Sequence, residues 1–295
     1  MKSSPNKLLS IVIVTYNSSS RIISLIKSID TKHNSKYVSK VIIIENNSPD
    51  KDVTSKLVTN YHSKFDITFK FILSRSNNGF AKSCNYGADL TKTKYVLFLN
   101  PDTILNKSSL QILLEHAEKN SIDLMGGKTL KDNGNIHNTV VRFPTISIGL
   151  FEFTNLGKIF GVKKGHQQFY YEDIKIYKSK VDIRVEALGG AYLLAKLKSF
   201  KSINGFDEDY FMYLEDVDLG LRAYKAGLKV MFCPHSEIEH VGGASSTNKH
   251  HIRHQAWYDS RRIYFRKHHG NMVNMFMQPL YVIEELLLKL REHYL

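Results

Sequence analysis

An acidic segment in the second half of the chain is the part of the sequence best suited to chemistry. Glu215 and Asp216 are adjacent carboxylates at the start of a helix predicted over Leu214–Ala226. The helix dipole stabilises negative charge at that end, which is a sufficient structural explanation for the pair. The functional alternative is that one carboxylate acts as a general base and removes the proton from an attacking hydroxyl group.

Polar side chains also follow four predicted strands, at the point where each strand ends. In doubly wound sheets, ligands bind beyond the carboxyl ends of the strands. A single polar tip is routinely a turn, because Asn, Asp, Gly and Pro favour turns. Four tips on one edge instead predict a ligand site. The tips are Thr15-Tyr16-Asn17, Glu45-Asn46-Asn47-Ser48-Pro49-Asp50, Ser76-Asn77-Asn78-Gly79-Phe80-Ala81 and Asn100-Pro101-Asp102.

Four strands and three intervening helices are predicted to position these tips. The hydrophobic runs are continuous rather than alternating, which indicates strands covered on both faces, as in a parallel sheet. Strands and helices alternate over the first third of the chain, and this order is typical of a doubly wound α/β fold. The predicted strands are Ser10–Thr15, Lys40–Glu45, Phe69–Leu73 and Lys94–Leu99, and the predicted helices are Ser20–Ile29, Lys51–Tyr61 and Asn78–Leu90.

The remainder of the chain is less regular. Lys131–Val181 shows little periodicity and is predicted to form long loops and short elements beside the cleft. Val185–Ala195 is predicted as a strand interrupted by two glycines, and Lys229–Cys233 as a last strand. The tail from Pro279 carries apolar residues at helical spacing, which predicts an amphipathic helix with a basic end.

The polar tips and the acidic segment belong to a longer series of motifs. In chain order these are Ile11-Val12-Ile13-Val14-Thr15-Tyr16-Asn17, Ile44-Glu45-Asn46-Asn47-Ser48, Asn77-Asn78-Gly79-Phe80-Ala81 with Asn85 and Gly87, Leu99-Asn100-Pro101-Asp102, Gly189-Gly190-Ala191, Gly205-Phe206-Asp207, Glu215-Asp216-Val217-Asp218-Leu219 with Arg222, and His240. In order and spacing the series resembles the family 2 glycosyltransferases of the GT-A fold, and among them the bacterial rhamnosyltransferase-like branch. The resemblance covers about residues 8–270.

The resemblance implies a fold, a domain organisation and an activity. The central sheet would be doubly wound and mostly parallel, with a nucleotide-sugar-binding half over residues 1–105 and an acceptor-binding, catalytic half over 106–245. Both halves lie within a GT-A domain over 1–270, and a basic C-terminal helical extension over 246–295 overlaps the end of that domain. The activity would be inverting transfer of a sugar to a hydroxyl of a growing cell-surface glycan or lipid-linked oligosaccharide. L-rhamnose from dTDP-rhamnose is the expected donor, and a hexosyltransferase that uses a UDP-sugar is the alternative.

The resemblance also implies roles for single residues. Asp216 would be the general base, Glu215 would orient the acceptor, and Arg222 would brace the acidic segment. Glu45 stands where the family usually has Asp. Contacts with the nucleotide sugar are expected from Thr15, Tyr16, Asn17, Glu45, Asn47, Asn77, Gly79, Phe80, Lys82, Asn85, Asn100, Asp102 and Gly190.

A divalent cation is the expected cofactor. The diphosphate leaving group carries negative charge, and Mg²⁺ or Mn²⁺ would neutralise it through oxygen ligands. The family's acidic motif at the end of the fourth strand is here Asn100-Pro101-Asp102, with one carboxylate where the common form has two. Asp102 and His240 are the expected metal ligands. The structural alternatives are a β-turn for the first and an ordinary surface or core histidine for the second.

Composition restricts the other functional classes. The formal net charge of +13 attracts sugar nucleotides, nucleic acid or an anionic membrane surface without choosing among them. No RRM, zinc-finger or helix-turn-helix signature is visible, so no nucleic-acid partner is expected. A dehydrogenase is disfavoured because no Gly-x-Gly-x-x-Gly motif follows the first strand. A nucleotidyltransferase of the same fold would need a glycine-rich phosphate loop there, and that loop is also absent.

The cysteines and the basic tract indicate where the protein works. Two distant cysteines, Cys84 and Cys233, form no disulfide framework, and no apolar run reaches bilayer length. We expect a cytoplasmic protein, with a peripheral position at the inner face of the cell membrane as an alternative. Arginine and lysine in the basic tract would clamp the diphosphate, face anionic lipid or lie on a solvated helix face, and the histidines are expected on that solvated face. These residues are Arg253, Arg261, Arg262, Arg266 and Lys267, with His250, His251, His254, His268 and His269.

Overall fold

A central β-sheet with helices on both faces organises the chain. The structure is a computed structural model, and it describes residues 7–65, 67–154, 156, 164–240 and 250–293. The strands are β1 (Leu9–Thr15), β2 (Val38–Glu45), β3 (Thr68–Leu73), β4 (Tyr95–Leu99), β5 (Thr103–Leu105), β6 (Leu124–Leu130), β7 (Ile136–His137), β8 (Val140–Val141), β9 (Ile183–Arg184), β10 (Ala187–Leu188), β11 (Tyr192–Lys196) and β12 (Val230–His240).

Helices connect most of these strands. They are α1 (Ser19–Ile29), α2 (Lys51–Thr59), α3 (Gly79–Asp89), α4 (Ser109–Lys119), α5 (Ile146–Phe151), α6 (Lys164–Phe169), α7 (Leu197–Ser202), α8 (Glu215–Lys225), α9 (His250–His269) and α10 (Asn271–His293). The predicted doubly wound α/β fold is confirmed. Among the described residues, every helix is too short or too polar to span a bilayer.

The strand order explains why the polar tips meet. The large sheet runs β3-β2-β1-β4-β11-β6-β12-β5. β3, β2, β1 and β4 are parallel, so their carboxyl ends lie at one edge. β11 is inserted antiparallel between β4 and β6, and β12 runs parallel to β6. The inserted strand brings the second half of the chain to the same edge as the first.

The two faces of β1 pack into separate cores. Ile11 and Ile13 belong to a cluster with residues of α1 and α4, whereas Val12 packs with residues of α3 on the opposite face. Burial on both faces explains the unbroken hydrophobic run along β1. β3 lies at the sheet edge and is partly exposed. The prediction of a strand buried on both faces is therefore wrong for Phe69–Leu73.

The later elements match the predictions in type but less well in extent. β10 and β11 flank Gly189 and Gly190, so the predicted interruption of this strand is confirmed. The last strand is longer than predicted, because β12 continues to His240 through an irregularity between Cys233 and Glu237. α10 begins before Pro279, which lies inside the helix.

The C-terminal helices pack against the rest of the chain through a third core. Tyr264 and Phe265 of α9 and Met277 of α10 share this cluster with Leu214 and Val217, which flank the acidic pair. The start of α8 and the C-terminal helices are therefore parts of one packed unit.

The prediction that Arg261 clamps a diphosphate, faces anionic lipid or lies on a solvated helix face is wrong. Arg261 is fully buried, and its Nη1 donates to the carbonyl of Phe153 and to Glu284. Its guanidinium also stacks on the ring of Tyr281, 4.0 Å from the centroid. A buried cation needs such partners, and α10 supplies them. Arg261 joins α9 to α10.

Candidate functional site

A cleft of about 520 Å³ opens at the edge where the polar tips end. Its walls come from the strand tips, the glycines between β10 and β11, the segment before α8, and α9. Most of the predicted site residues line this cleft. They are Tyr16, Asn77, Gly79, Phe80, Asn100, Asp102, Gly190, Glu215, Asp216 and His240.

Two predicted contacts lie beneath the cleft floor instead. Thr15 and Glu45 are fully buried and do not line the cavity. Oε1 of Glu45 accepts a hydrogen bond from the amide of Ser48 at 2.9 Å, and burial raises the pKa of the Glu45 carboxyl. Oε2 has no hydrogen-bond partner among the described residues. Glu45 shapes the turn after β2 from below.

Four other predicted contacts also lie off the cavity wall. Asn17 and Asn47 have positive φ values of 53° and 55°, which asparagine tolerates in turns. Lys82 is exposed on α3. Asn85 exchanges two hydrogen bonds with the backbone of Phe206, at 2.8 and 2.9 Å. These contacts give Asn85 a structural role in holding the loop around Phe206.

The acidic segment is held by backbone amides. Oδ2 of Asp216 accepts a hydrogen bond from the amide of Gly190 at 2.9 Å, and Oδ1 accepts one from the amide of Val217 at 2.8 Å. Burial raises the pKa of the Asp216 carboxyl, and the two amides partly offset that rise. A fixed carboxylate with a raised pKa has the properties of a general base.

Glu215 differs from its neighbour in environment. It is 5% exposed, and Oε2 has no hydrogen-bond partner among the described residues. Burial and the adjacent charge of Asp216 raise the pKa of Glu215 well above its usual value. A neutral Glu215 would be able to donate a hydrogen bond into the cleft that it lines.

Asp218 anchors the acidic segment from behind. Its carboxylate accepts from Arg222 Nε and pairs with His268 Nε2, both at 2.7 Å. Burial alone would raise the pKa of Asp218, but His268 and Arg222 outweigh it and hold the pKa below its usual value. Arg222 braces the segment as predicted. His268 contacts Asp218 and its side chain is nearly buried, so the prediction that it occupies a solvated face is wrong.

Removing Asp218 should therefore destabilise the fold. We expect Asp218→Ala to reduce the free energy of unfolding by about 3 kcal/mol, because two basic groups lose their buried partner. Asp89→Ala is the matched control, since Asp89 is 71% exposed in its pair with Lys201 and should contribute less than about 1 kcal/mol. Urea unfolding measures both, and equal effects would contradict the assignment.

The pH dependence of this variant has a defined sign. A depressed carboxylate pKa contributes stability above the unfolded-state pKa, and that contribution is lost as pH falls through the folded-state pKa. The difference between the wild type and Asp218→Ala should therefore shrink as the pH is lowered through and below the ordinary aspartate value of 3.8.

Helix α9 holds the segment that precedes the acidic pair. Ser260 donates to the carbonyl of Met212 at 2.8 Å, and Arg253 Nε donates to the hydroxyl of Tyr213 at 2.9 Å. Arg253 and Trp257 also line the cleft. Sequence reasoning gave Trp257 no role, because helical periodicity does not show which loop a helix will face.

The expected metal ligands lie together in the cleft. Oδ1 of Asp102 is 3.2 Å from Nε2 of His240, and the Asn100 amide nitrogen is 3.4 Å from the same ring atom. On the other side of the ring, Nδ1 of His240 is 3.1 Å from Nδ1 of His137. Burial would raise the pKa of Asp102, but the hydrogen bond and charge of His240 hold it below its usual value.

These donors suit a divalent cation of the kind expected. Asp102 supplies carboxylate oxygen, and His240 supplies imidazole nitrogen, both of which bind Mn²⁺. His137 was missed, since it lies on a two-residue strand in the stretch without periodicity. Burial, followed by the neighbouring His240, lowers the pKa of His137 and favours its neutral, metal-binding form.

Gly79 allows two walls of the cleft to meet. It has a φ of 76°, and a Cβ atom there would lie 2.3 Å from the carbonyl oxygen of Phe211. That same carbonyl accepts a hydrogen bond from the amide of Phe80 at 2.8 Å. The backbone of the α3 start thus touches the segment that leads to the acidic pair.

Gly79→Ala should therefore be more destabilising than a positive φ alone explains. Gly134 has a φ of 75° with no atom within 4 Å of an added Cβ, so Gly134→Ala measures the conformational strain by itself. We expect Gly79→Ala to lower the free energy of unfolding by about 2 kcal/mol more than Gly134→Ala. Equal losses in urea unfolding would show that the contact with Phe211 is relaxed without penalty.

Comparison with known proteins agrees with this geometry. The family model described as Glycosyl transferase family 2 matches residues 10–184, and a model described as N-terminal domain of galactosyltransferase matches residues 173–251. The rhamnosyltransferase WbbL of Escherichia coli K12 is 30% identical over 167 residues, which are 53% of this chain and 58% of that protein.

A second relative and one solved structure complete the comparison. The N-acetylglucosaminyl-diphospho-decaprenol L-rhamnosyltransferase of Mycobacterium tuberculosis is 29% identical over 147 residues, or 50% of this chain and 46% of that protein. The chain thus spans about half the length of the curated relatives it matches. The structure of GalNAc-T7 with UDP, GalNAc and Mn²⁺ superposes with a TM-score of 0.58 at 15% identity, over 79% of this chain and 43% of that one. The family model covers more than half of the sequence, and the chain therefore belongs to the family 2 glycosyltransferases and has the GT-A fold.

Proposed function

We propose that this chain is an inverting glycosyltransferase that moves a sugar from a nucleoside diphosphate to a hydroxyl of a growing cell-surface glycan. One observation carries the proposal. A single cleft is lined by a carboxylate held by backbone amides, Asp216, and by a carboxylate–imidazole pair, Asp102 and His240. The first suits proton removal, and the second suits a cation on the diphosphate.

The proposed reaction is a single displacement with Asp216 as its base. The acceptor hydroxyl gives its proton to Asp216 while its oxygen attacks the anomeric carbon from the face opposite the diphosphate, which inverts that centre. The amides of Gly190 and Val217 keep the carboxylate oriented during the step. Glu215, whose pKa is raised by burial and by the neighbouring Asp216, is proposed to orient the acceptor through a hydrogen bond.

Asp102 and His240 are proposed to hold Mg²⁺ or Mn²⁺. When bound, the cation supplies positive charge to the departing diphosphate. The presence of Mn²⁺ with UDP in a structural neighbour supports this assignment. Asn100 and His137 contact His240 from two sides and orient its ring. Nucleotide contacts are proposed for Tyr16, Asn77, Gly79 and Phe80, which also line the cleft. Thr15, Asn17, Glu45, Asn47, Lys82 and Asn85 would support that wall from outside the cavity.

The donor is proposed to be dTDP-L-rhamnose. The names of the two curated relatives support rhamnose. A UDP-hexose is the second candidate, because the structural neighbour contains UDP. A lipid-linked acceptor is proposed from the decaprenol in the name of the mycobacterial relative. A position beside an anionic membrane surface fits that acceptor, and the exposed Met272, Met275 and Phe276 of α10 support it.

A thermal-shift screen tests the proposed function. The full chain is heated with dTDP-, UDP- and GDP-sugars, each with Mn²⁺, with Mg²⁺ or with EDTA. Because a ligand that binds only the folded state raises the melting temperature, we expect a shift with dTDP-rhamnose that requires the cation. A larger shift with a UDP-sugar would replace the donor assignment. A shift with an oligonucleotide and none with any sugar nucleotide would overturn the function.

A further inference from the structure

A second group of metal-binding side chains lies outside the cleft. His116 on α4, Asp182 just before β9 and Cys233 on β12 place one ligand atom each within 4.8 Å of one another. None of the three lines the cavity that holds Asp216. The proposed transfer reaction gives them no role.

The distances between ligand atoms in this group are close to those between the ligand atoms of a bound metal ion. Nδ1 of His116 is 3.0 and 2.8 Å from the two oxygens of Asp182, and Sγ of Cys233 is 3.7 Å from the same nitrogen. Tetrahedral zinc with ordinary bond lengths separates neighbouring ligand atoms by roughly 3.4–3.6 Å. Histidine and cysteine are already at that spacing, and the carboxylate needs to withdraw by about 0.5 Å.

Three separate elements converge to build the group. The irregularity in β12 begins directly after Cys233, and a bulge of this kind redirects side chains along a strand. His235 lies within it, and its Nε2 is 2.8 Å from the carbonyl of Lys180, two residues before Asp182. Its ring centroid is 6.1 Å from that of His116. The bulge thus holds β12 and the segment before β9 together beside His116.

The group is accessible to solvent at His116 and is closed to solvent at Cys233. The side chain of His116 is 35% exposed and that of Asp182 is 10% exposed, whereas Cys233 is fully buried. Burial, followed by the charge of Asp182, raises the pKa of the Cys233 thiol to about 12. Coordination of a cation through sulfur would release the thiol proton to solvent.

We propose that His116, Asp182 and Cys233 form a zinc site that ties α4, β12 and the segment before β9 together. One sulfur, one nitrogen and one oxygen donor suit Zn²⁺, whereas Mg²⁺ and Mn²⁺ favour oxygen-rich sites. A water molecule completes the tetrahedron. The site holds the chain ahead of β10, which leads to Gly190 and its hydrogen bond to Asp216. Its role is structural, at a distance from the reacting groups.

Cobalt titration of the full chain tests the site directly. Co²⁺ replaces Zn²⁺ in such sites, and a cobalt–sulfur bond gives a near-ultraviolet charge-transfer absorption. We expect one equivalent of Co²⁺ to produce this absorption and Zn²⁺ to remove it. Cys233→Ser should lose the absorption, and His116→Gln should weaken zinc binding by at least about 10-fold. Cys84→Ser is the matched control, because Cys84 is equally buried and is not part of the group.

Melting temperature gives a second readout that does not depend on the cysteine variant. Zn²⁺ should raise the melting temperature of the wild type by about 5 °C and raise that of His116→Gln by clearly less. Absence of the sulfur absorption in the wild type, or its persistence in Cys233→Ser, would overturn the site. Neither measurement uses a sugar nucleotide, so failure here leaves the proposed glycosyltransferase function standing, and the reverse also holds.

Discussion

Asp216→Asn should lower the turnover number of sugar transfer by at least about 10³-fold, while donor affinity changes by no more than a few-fold. Asparagine keeps the size of the side chain and the contact with at least one of the two amides, those of Gly190 and Val217. It cannot accept a proton from the acceptor hydroxyl. The loss should therefore appear in the chemical step and not in nucleotide binding.

Steady-state transfer assays measure turnover, and calorimetric titration with the nucleoside diphosphate measures nucleotide affinity. Asp209→Asn serves as the control, since Asp209 is 61% exposed in its pair with Lys267 and should leave turnover unchanged. If the Asp216→Asn variant turned over at a rate near that of the wild type, Asp216 would not be the general base. A collapse of nucleotide affinity would instead point to structural damage.

The pH profile adds an independent check on the same residue. The base works as a carboxylate, and burial raises the pKa of Asp216. The acid limb of kcat/KM should therefore lie at higher pH than for an ordinary aspartate. A profile flat down to the ordinary aspartate pKa would contradict the assignment.

Asp102→Ala should abolish the dependence of donor binding on Mn²⁺ and weaken binding of the nucleotide sugar by about 100-fold when the cation is present. Removing the carboxylate takes away the oxygen donor that lies 3.2 Å from Nε2 of His240. The cation would then be held by imidazole alone, which is too weak for a site that must also bind diphosphate. Binding measured with EDTA should be the same in the wild type and the variant.

Two controls separate loss of the cation from loss of the pocket. A nucleoside without phosphates should bind the wild type and Asp102→Ala equally, because it has no diphosphate for the cation to contact. Asp132→Ala removes an exposed carboxylate away from the cleft and should keep the full Mn²⁺ response. An Asp102→Ala protein that still responds to Mn²⁺ would show that the cation is held elsewhere.

The half of the cleft formed by the strand tips could be predicted because it depends on local pattern and one topological rule. The runs ending at Thr15, Glu45 and Leu99 are buried parallel strands, and their carboxyl ends meet at one edge. The interruption at Gly189 and Gly190 was also visible in the sequence. The presence of Asp216 and His240 in one cleft follows from the order of motifs, which family resemblance supplied.

The remaining site residues could not be predicted, because their roles depend on distant partners. His137 faces His240 across 103 positions of sequence, and a two-residue strand that pairs with β6 positions it there. His268 and Arg261 lie in a basic tract that composition assigns to solvent. Each is buried against an acidic partner from another helix, and local periodicity carries no information about such partners.

The shared core of α8, α9 and α10 limits how this protein can be rearranged. One hydrophobic cluster contains the residues beside Asp216 and the residues through which α9 and α10 pack together. Hydrogen bonds of His268 and Ser260 join α9 further to this region. Such a cluster opens as a single cooperative unit in hydrogen exchange. The C-terminal helices therefore cannot be exchanged independently of α8. A chimera that takes these helices from a relative must also take the matching face of α8, or Asp216 will be misaligned.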